Sequence, residues 1–497
     1  MSAFSALLAW PRELADRAGL ALWTSDAVAA AVGGVASEPF AVSGVAYDSR
    51  EVHEGDLFFA LTGEQADGHA FLDQAFSRGA AAAVVDRPID MPHVLVKDTL
   101  SALELLASAA RGRVDAAIVG VTGSAGKTGV KEALYAALDR GSRGRAHRSV
   151  KSYNNHVGVP LSLARMPART AFGVFEMGMN HPGELAYLTR IVRPHVAIVT
   201  TIAPAHIGFF TGEEQIADAK GEIFEGLEAI DGLAGERGGV AIIPADNPHY
   251  ERLRAKAARH AGMIVSFGRA AHADVRVLDT VAAPGGGTLV TADMGDRRIC
   301  YTVSQPGDHW VLNSLAVMAA VRAVGGDLGA AGLALAEMEG LAGRGARHIV
   351  SAPAGDGSGE ALLIDESYNA NPASMRATIA QLGITPARRR VAVLGAMREL
   401  GEDEARYHAE LSAPLFAAEV DRVVLVGDEM AALADALGKS PALALGKRID
   451  VAHVANASEA LAMLRRGGIA GGDAILVKGS NSVGLGAIVR ALTSKEG

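Results

Sequence analysis

The sequence contains a single cysteine, Cys300, among 497 residues. One thiol excludes an intramolecular disulfide framework and a cysteine-based zinc site, and it is typical of a reducing compartment. The chain also lacks any run of about 18 uncharged apolar residues, so no transmembrane helix is expected. The apolar segment 1–10 is short, has no basic leading stretch and runs into Pro11, Arg12 and Glu13, which argues against a signal peptide. These absences predict a cytoplasmic protein that does not insert into a membrane.

The chain also has few aromatic residues and no excess of positive charge. Aromatic residues make up 5% of the chain whereas hydrophobic residues make up 49%, so we expect a core of Ala, Val, Leu and Ile, as in an α/β enzyme. The formal net charge is -9, which gives no overall attraction to nucleic acid or to an anionic membrane. We therefore expect no nucleic-acid partner, and local basic groups must hold any anionic substrate. At roughly 100 to 200 residues per domain, the length predicts about three domains.

The stretch from Ile118 to Val130 reads I-V-G-V-T-G-S-A-G-K-T-G-V, which is the layout of a strand, a glycine loop and the start of a helix. It overlaps the apolar run 114–121, and apolar residues then recur at helical spacing up to Leu138. Backbone N–H groups, the positive end of the helix, a lysine and a hydroxyl for Mg²⁺ together make a nucleotide triphosphate site in such a loop. The residues that would contribute are Gly123, Ser124, Ala125, Gly126, Lys127 and Thr128.

This loop departs at one position from the usual G-x-x-x-x-G-K-[ST] pattern. Val121 stands where the pattern has its first glycine, and Gly120 and Gly123 lie on either side of it. The alternative is a glycine-rich turn that binds nothing. A strand before the loop and a helix after it favour the phosphate site.

Polar residues follow several strand-like runs of the same region. Glu176 follows the run 172–175, and the run 196–199 leads through two threonines to His206. Ligands bind beyond the carboxyl ends of strands in open parallel sheets, so these side chains can converge on the crevice of the phosphate loop. Oxygen and imidazole groups suit Mg²⁺ there, which makes Thr128, Glu176 and His206 candidate metal ligands. A solvated strand end for Glu176 and a histidine without function stay open as alternatives.

Lys220 interrupts an apolar stripe. If residues 213–227 form a helix, Ile216, Lys220, Ile223 and Phe224 lie on one face of it. A buried ammonium group must pair, lose its proton or be modified. The alternative is that the stem of the side chain packs while its charged head reaches water.

Two short basic stretches divide the chain into three units. The stretch 111–113 follows four strand-like runs and a helical segment, and we interpret it as a linker. The stretch 343–347 separates the central unit from a second doubly wound α/β unit, in which strand-like runs alternate again with helical segments such as 403–418. Alternating residues around the glycines at 285–287 predict hairpins appended to the central sheet. The predicted domains are 1–112, 113–343 and 344–497.

The ordered motifs of the chain resemble those of the Mur ligases over nearly its full length. Each motif alone is weak, whereas the set in this order and spacing is specific. The motifs are D-S-R at Asp48, G-D-L-F-F-A-L-T-G at Gly55, D-G-H at Asp67, T-G-S-A-G-K-T at Thr122, N-N-H-V-G-V-P at Asn154, E-M-G-M-N-H-P-G-E-L at Glu176, A-H-I-G at Ala205, A-K-G-E-I at Ala219, G-D-H-W-V-L-N at Gly307, G-R at Gly343, S-Y-N-A-N-P-A-S-M at Ser367 and K-G-S at Lys478.

The resemblance implies an α/β fold with three domains. The N-terminal domain would be a small α/β unit that binds a UDP sugar. The central domain would be a P-loop-type mononucleotide-binding sheet with appended hairpins, and it would bind ATP. The C-terminal domain would be a Rossmann-like doubly wound sheet that binds the incoming amine. Since the reactants come from three domains, a closing motion is expected.

The resemblance also implies roles for single residues. Lys127 and Thr128 would hold phosphates and Mg²⁺, and Glu176 and His206 would be metal ligands at a site for two ions. Lys220 falls where relatives carry a carbamylated lysine, an anion that helps to organise magnesium. Lys127, Lys220 and His206 would be the catalytic residues. The other implied contacts are Asn313 at the adenine, Arg344 at the phosphates, Asp365 at the ribose, and Ser49, Arg50, Asn154, Asn155, Asn369 and Asn371 at the substrates.

The implied reaction is amide synthesis in the formation of a peptidoglycan precursor. ATP would convert a carboxylate of a UDP-N-acetylmuramoyl-tripeptide to an acyl phosphate, and the amine of D-alanyl-D-alanine would then displace phosphate. The segments at Glu176 and Ser367 favour the member that adds this dipeptide, and the D-N-P-R segment of the member that adds the third amino acid is missing. Such an enzyme is expected to be a monomer.

The departures from the family pattern concern the C-terminal substrate pocket. Glu366 replaces a second Asp in the usual D-D-S-Y, and Asn481 follows K-G-S where Arg is common. Ala396 replaces the aspartate of the usual L-G-D-M-x-E-L-G, and Arg398 occupies its variable position. They leave the implied reaction unchanged.

Two other functions stay open at this level. A nucleotide-binding switch or motor would carry the same loop, but its ATP hydrolysis would be basal or stimulated by a macromolecule. A folylpolyglutamate-type or cyanophycin-type ligase is the second alternative, although the N-terminal D-S-R and D-G-H segments argue against it.

Overall fold

The structure is a computed structural model in which strands form three larger sheets and one two-stranded sheet. No helix in the part of the chain that the structure describes has both the length and the apolar character needed to cross a membrane. The described residues are 21–494 except 64–65, 206, 230–237, 285, 353–358, 441, 443–445 and 447.

The first sheet is mostly parallel, with the strand order β2-β7-β6-β5-β4 once the strands are numbered along the chain as given below. Only its edge strand β2 is antiparallel to its neighbour, and β1 and β3 form the separate two-stranded sheet. The strands are β1 Trp23–Thr24, β2 Val35–Ala36, β3 Ala41–Val42, β4 Gly44–Ala46, β5 Asp56–Phe59, β6 Ala82–Val85 and β7 His93–Leu95. The helices are Ser25–Val32, Leu72–Ser77 and Thr99–Gly112.

The pattern T-S-D-A-V-A-A-A-V-G-G from Thr24 predicts a short capped helix that ends at Gly33 and Gly34, and the first helix begins and ends in this way. The side chain of Thr24 accepts a hydrogen bond from the backbone N–H of Ala27, and Gly33 ends the helix with a φ of 64°. An N-cap hydroxyl satisfies a free amide of the first turn, and glycine adopts the left-handed conformation without a steric cost.

The central sheet has nine strands in the order β16-β15-β14-β13-β12-β11-β8-β10-β9. Strands β8 to β14 pair in parallel, whereas β14, β15 and β16 are joined as antiparallel hairpins, as predicted. The strands are β8 Ala117–Thr122, β9 Ala146–Arg148, β10 Phe172–Glu176, β11 Val196–Val199, β12 Val240–Pro244, β13 Met263–Gly268, β14 Val275–Ala282, β15 Thr288–Asp293 and β16 Arg298–Val303. The helices are Lys127–Ser142, Gly158–Ala164, Glu184–Val192, Glu213–Gly221, Tyr250–Ala257, Asp308–Ala323 and Leu328–Glu337.

Helices cover both faces of the central sheet. Val119 and Val121 pack on one face with the helices 127–142 and 308–323. Ile118 packs on the other face with a second set of apolar side chains. A parallel strand that is buried on both sides needs an apolar residue at every position, which explains the continuous apolar run before the phosphate loop.

The C-terminal sheet has six strands in the order β17-β18-β22-β19-β20-β21, and β17 is its one antiparallel strand. This is the doubly wound unit that the sequence predicts. The strands are β17 Ala346–Ala352, β18 Gly359–Glu366, β19 Arg389–Gly395, β20 Arg422–Val426, β21 Asp450–Val454 and β22 Asp473–Lys478. The helices are Pro372–Ile384, Glu404–Ala409, Ser412–Ala417, Ala431–Gly438, Ala457–Met463 and Gly486–Thr493.

Two predicted helices are wrong in their extent. The helix expected over 403–418 is broken into two, because Pro414 lacks an N–H and its ring would clash with the carbonyl group of Glu410. The helix expected over 213–227 ends at Gly221 and continues as a 3₁₀ helix from Glu222 to Gly226. The apolar stripe that includes Lys220 nevertheless remains fully buried.

The two linkers differ in how firmly they are held. The guanidinium of Arg113 lies 3.5 Å from the centre of the Trp23 ring and donates to the carbonyl groups of Leu22 and Met166 at 3.0 and 2.8 Å. The second linker contains Gly343 and Gly345, with φ values of 73° and 94°. The short basic sequences of both linkers suggest two hinges. Because the first linker is held by these contacts, we place any hinge at the second linker alone.

Candidate active site

The phosphate loop lies between β8 and the helix Lys127–Ser142. Val121 is a fully buried strand residue, so the turn begins at Gly123, whose φ is 149°. A Cβ atom on Gly123 would lie 1.9 Å from Oγ1 of Thr200, which leaves no room for a side chain. Gly126, with a φ of 85°, completes the turn. The glycine that is missing at position 121 is therefore not needed here.

The start of the helix brings an ammonium group and a hydroxyl to the loop. Nζ of Lys127 donates to the carbonyl oxygen of Gly123 at 2.7 Å, so the lysine folds back over the loop. Oγ1 of Thr128 donates to Oε2 of Glu176 at 2.9 Å. Burial lowers the pKa of Lys127, Glu176 opposes this shift and Arg344 adds to it. Loop amides, a lysine and a hydroxyl surround one position that suits a phosphate group.

Glu176 ends β10 and is fully buried. Its Oε1 accepts a hydrogen bond from Nδ2 of Asn154 at 2.8 Å, and Nζ of Lys131 lies 3.8 Å from its Oε2. Burial alone would raise the pKa of Glu176, but Lys131, Arg344, Lys127 and Asn154 outweigh burial and hold this pKa below its ordinary value. The side chain is therefore a charged carboxylate at neutral pH and not a solvated strand end.

Lys131 was not predicted from the sequence. Its side chain is fully buried, and its Nζ donates to the carbonyl groups of Ser149 and Lys151 at 3.2 and 2.5 Å. The sequence nevertheless contains a signal for Lys131 as a site residue, because a spacing of four residues puts Lys127 and Lys131 on the same face of one helix. Lys131 ties this helix to the segment 149–151 and neutralises Glu176.

Lys220 is fully buried, and its Nζ has no hydrogen-bond partner among the described residues. Burial lowers the pKa of Lys220 well below its ordinary value, and the charge of Lys127 lowers it further. The head of the side chain does not reach water, so the alternative of an exposed head does not apply. A buried lysine of this kind is stable as a neutral amine.

Asn313 and Arg344 both line the cavity described below. The amide group of Asn313 lies 3.0 Å from the place that a Cβ atom on Gly126 would occupy, so it faces the phosphate loop. Nη2 of Arg344 donates to Oγ of Ser152 at 3.3 Å. The second linker thus carries a cation to the central sheet.

Asp365 is bound to the chain around it. Its Oδ2 accepts from the backbone N–H of Gly343 at 2.7 Å, and its Oδ1 accepts from the backbone N–H and Oγ of Ser367 at 3.1 and 2.6 Å. Asp365 therefore anchors the second linker to the end of β18. Its contact with a ribose stays a prediction.

Asn369 and Asn371 line the cavity from the C-terminal sheet. Oδ1 of Asn371 accepts from the backbone N–H of Ser374 at 2.8 Å and so caps the helix 372–384. Nδ2 of Asn371 donates to the carbonyl oxygen of Ser124 at 3.2 Å, which connects this helix directly to the phosphate loop.

Three predicted substrate residues do not line this cavity. Oδ1 of Asn155 accepts from the backbone N–H of Gly158 at 2.9 Å, at the start of a helix. Ser49 donates to Oε1 of Gln74 at 2.7 Å, and Arg50 is exposed and pairs with the aspartate of its own D-S-R motif. A role for these residues requires a substrate that extends beyond the cavity.

His206 lies outside the described residues, so its role as a metal ligand stays a prediction. Within the described part of the chain, no group of three or more His, Cys, Asp and Glu residues is arranged to hold a metal ion. That part offers the carboxylate of Glu176 and two hydroxyl groups. Oγ1 of Thr128 donates to this carboxylate and lies 3.4 Å from Oγ of Ser152. These few hard oxygen donors fit Mg²⁺, which takes most of its other ligands from phosphates and water.

One cavity of about 860 Å³ is lined by Lys127, Asn154, Glu176, Asn313, Arg344, Asn369 and Asn371. Its lining does not include Thr128, Lys131, Lys220 or Asp365. One wall contains the phosphate loop and the carboxyl ends of β10, β11 and β12. The facing wall contains residues of the segments 366–378, 398–399 and 478–482. A cavity of this volume can hold a ligand as large as a nucleotide. Neither sheet forms the cavity alone.

A phosphate loop faced by a second α/β wall is typical of enzymes that use a nucleotide triphosphate to transfer a group to an acceptor on that wall. Three family models match this chain. They are the Mur ligase family catalytic domain over residues 41–141, the Mur ligase middle domain over residues 121–321 and the Mur ligase glutamate ligase domain over residues 355–481. The chain therefore belongs to the Mur ligase family.

Individual relatives match over nearly the whole chain. The UDP-N-acetylmuramoyl-tripeptide--D-alanyl-D-alanine ligase of Escherichia coli (strain K12) is 35% identical over 453 residues, which are 90% of this chain and 93% of that protein. A crystal structure of MurF from Acinetobacter baumannii is 29% identical, with a TM-score of 0.77, and the match covers 95% of this chain and 99% of that one. MurF ligase from Thermotoga maritima in complex with ADP is 27% identical, with a TM-score of 0.70 and coverages of 91% and 97%. The predicted family and fold class are confirmed.

Proposed function

We propose that this chain is an ATP-dependent ligase that joins D-alanyl-D-alanine to a UDP-N-acetylmuramoyl-tripeptide and releases ADP and phosphate. The observation that carries this proposal is the likeness to ligases of that name over 90% of the chain. The two-walled cavity supports it, since a nucleotide on one wall and an amine on the other could reach the same carboxylate.

We further propose that the domains are 1–112 for the UDP sugar, 113–343 for ATP and 344–497 for the amine. The positions of the three sheets support these boundaries. The first sheet ends at Leu95, the central sheet extends from Ala117 to Val303, and the third sheet begins at Ala346.

The proposed chemistry proceeds in two steps. A carboxylate oxygen of the tripeptide forms a bond to the γ-phosphorus of ATP, and the bond to the departing ADP breaks. The nitrogen of D-alanyl-D-alanine then bonds to the acyl carbon, and phosphate leaves with the oxygen. Lys127 and the loop amides neutralise the transferring phosphoryl group, and Arg344 does so from the facing side.

Other side chains would position the reactants. Asn313 faces the phosphate loop from the helix 308–323 and would lie at the adenine side. Asn154, Asn369 and Asn371 would contact substrates within the cavity, and Asp365 would reach the ribose. Asn155, Ser49 and Arg50 would contact the part of the UDP substrate that extends beyond the cavity.

Glu176 and Thr128 would hold Mg²⁺, with His206 as a further ligand. Bound Mg²⁺ supplies positive charge to the phosphate oxygens. Nζ of Lys131 lies 3.8 Å from Oε2 of Glu176, and the hydrogen bond from Asn154 fixes Oε1, so both carboxylate oxygens are positioned.

Lys220 would act as a carbamate. Its neutral, unpartnered and fully buried amine can bond to the carbon of CO₂ and release one proton, which leaves an oxygen anion. An oxygen anion in place of an ammonium group would support a magnesium site instead of repelling it.

The proposed function is tested by measuring ADP release with purified UDP-N-acetylmuramoyl-tripeptide, with and without D-alanyl-D-alanine. We expect release only when both are present, together with one amide product for each ADP. Release without either substrate, or release stimulated by a macromolecule, would instead support a nucleotide-driven switch or motor. Product formed from glutamate and a folate would support a folylpolyglutamate-type ligase.

Ligand binding is expected to close the C-terminal domain onto the central domain. Across this boundary Asn371 and Arg344 each donate one hydrogen bond, and the backbone N–H of Gly208 donates to the carbonyl oxygen of Glu399 at 3.0 Å. Substrates that bind both walls would add to these contacts. Small-angle scattering should show a more compact particle with an ATP analogue and the UDP substrate. A Lys127→Ala variant, which lacks the loop lysine, serves as the control and should compact less. An unchanged wild-type particle at saturating ligand would argue against closure.

A further inference from the structure

Arg398 lies on the C-terminal wall of the cavity, just beyond the end of β19. Its backbone N–H donates to Oγ of Ser480 at 3.0 Å. The backbone N–H of Ser480 donates in turn to the carbonyl oxygen of Ala396 at 3.0 Å. These two bonds hold the segment 396–398 beside the segment that carries Asn481, which lines the same wall.

The cations that line the cavity differ in the partners they already have within the protein. Lys127 and Arg344 both act on the charge of Glu176, so they belong to the phosphate end. The lysine and arginine residues that line the cavity among the described residues are Lys127, Arg344, Arg398 and Lys478.

Lys478 is buried, and its ammonium group already has partners within the protein. Its side chain is 2% exposed, and its Nζ lies 3.5 Å from Oε2 of Glu366. The same Nζ donates to the carbonyl oxygen of Asn369 at 2.8 Å. Lys478 therefore stabilises the wall and is not available to a substrate carboxylate.

Arg398 is the accessible cation of this wall. Its side chain is 46% exposed, and Nη1 pairs with Oε1 of Glu429. That pair leaves other N–H groups of the guanidinium to donate, and a guanidinium binds a carboxylate through two parallel hydrogen bonds. The residue after K-G-S, where the family commonly has arginine, is the neutral Asn481 here.

The amine substrate of the proposed function carries a charge that this wall must accommodate. One end of D-alanyl-D-alanine is the amine that attacks the acyl carbon. Its other end is a carboxylate, which is charged at neutral pH and is costly to bury without a partner. The wall that receives the dipeptide therefore needs a cation whose side chain is exposed and still has N–H groups to donate, as Arg398 does beside its pair with Glu429.

We propose that Arg398 binds the terminal carboxylate of the amine substrate and thereby selects a dipeptide whose C-terminus is free. The inference rests on the proposed function, because it takes the C-terminal wall as the site of the amine. Arg398 is a specificity residue at the end of the dipeptide remote from the bond that forms.

The test compares D-alanyl-D-alanine with D-alanyl-D-alaninamide, which lacks the charge, in the wild type and in Arg398→Met. For the natural dipeptide the variant should raise KM about tenfold to hundredfold, since a charge-assisted hydrogen bond is lost. The kcat value and the KM values for ATP and the UDP substrate should change little. For the amide, the two proteins should have similar kcat/KM values. Arg398→Lys should be intermediate, because lysine keeps the charge without the fork of donors.

Two further variants test whether the effect depends on the charge that is removed and on its position in the cavity wall. Arg406→Met removes an exposed arginine of the same domain that does not line the cavity and should leave KM unchanged. Asn481→Arg, added to Arg398→Met, should restore at least part of the preference for the carboxylate, since position 481 lies on the same wall. An equal effect of Arg398→Met on dipeptide and amide, or no effect on either, would overturn the assignment of Arg398. A wild type that forms no amide from D-alanyl-D-alanine would instead overturn the proposed function.

Discussion

Lys127→Ala is expected to lower the rate of product formation by a factor of about 10² to 10³ or more, because it removes a preorganised cation from the transferring phosphoryl group. Among the described residues, Nζ of Lys127 donates only to the loop carbonyl of Gly123, so the substitution leaves no other described buried group without its hydrogen bond. Steady-state ADP release at saturating substrates gives kcat, and thermal unfolding gives Tm, which we expect to change little.

Lys439→Ala is the matched control for this experiment. Lys439 is an exposed lysine of the C-terminal domain that pairs with Asp435 four residues earlier, and it does not line the cavity. It should retain the wild-type rate. Near-normal turnover by Lys127→Ala would refute the assignment of the phosphate loop as the catalytic ATP site.

Lys220→Ala is expected to lower activity by about 10-fold to 100-fold, the range seen when a group that orients metal ligands is removed. Lys220 is fully buried and its Nζ has no partner among the described residues, so its removal leaves a buried space within reach of the charge of Lys127. Acetate or formate should enter that space, replace the carbamate oxygen anion and restore part of the activity. Activity measured against carboxylate concentration should therefore rise and saturate.

Lys127→Ala provides the control, because a carboxylate cannot replace a cation and no rescue is expected. NMR of the wild type with isotope-labelled CO₂ should show a carbamate signal that Lys220→Ala lacks. Full activity of Lys220→Ala would contradict the carbamate. Loss of activity without rescue, together with an unmodified lysine in the wild type, would contradict it as well.

Local sequence patterns were sufficient for much of the fold. The phosphate loop, the cap at Thr24 and the hairpins after β14 each depend on backbone conformations within a few residues. The apolar run before the loop likewise identified a strand buried on both faces. The breaks near Glu410 and Gly221 were missed, although Pro414 was a readable signal for the first of them.

The sequence by itself determined the family, the fold class and the types of residue at the phosphate loop, because glycines, a lysine and a hydroxyl at fixed spacing describe one local geometry. Only the tertiary structure decided which distant residues share the cavity. It placed Lys131 against Glu176, used Asp365 to hold a linker and left Arg398 as the accessible cation of the C-terminal wall. Contacts of this kind depend on how three sheets pack and on which charges are already paired, and no spacing along the chain encodes either.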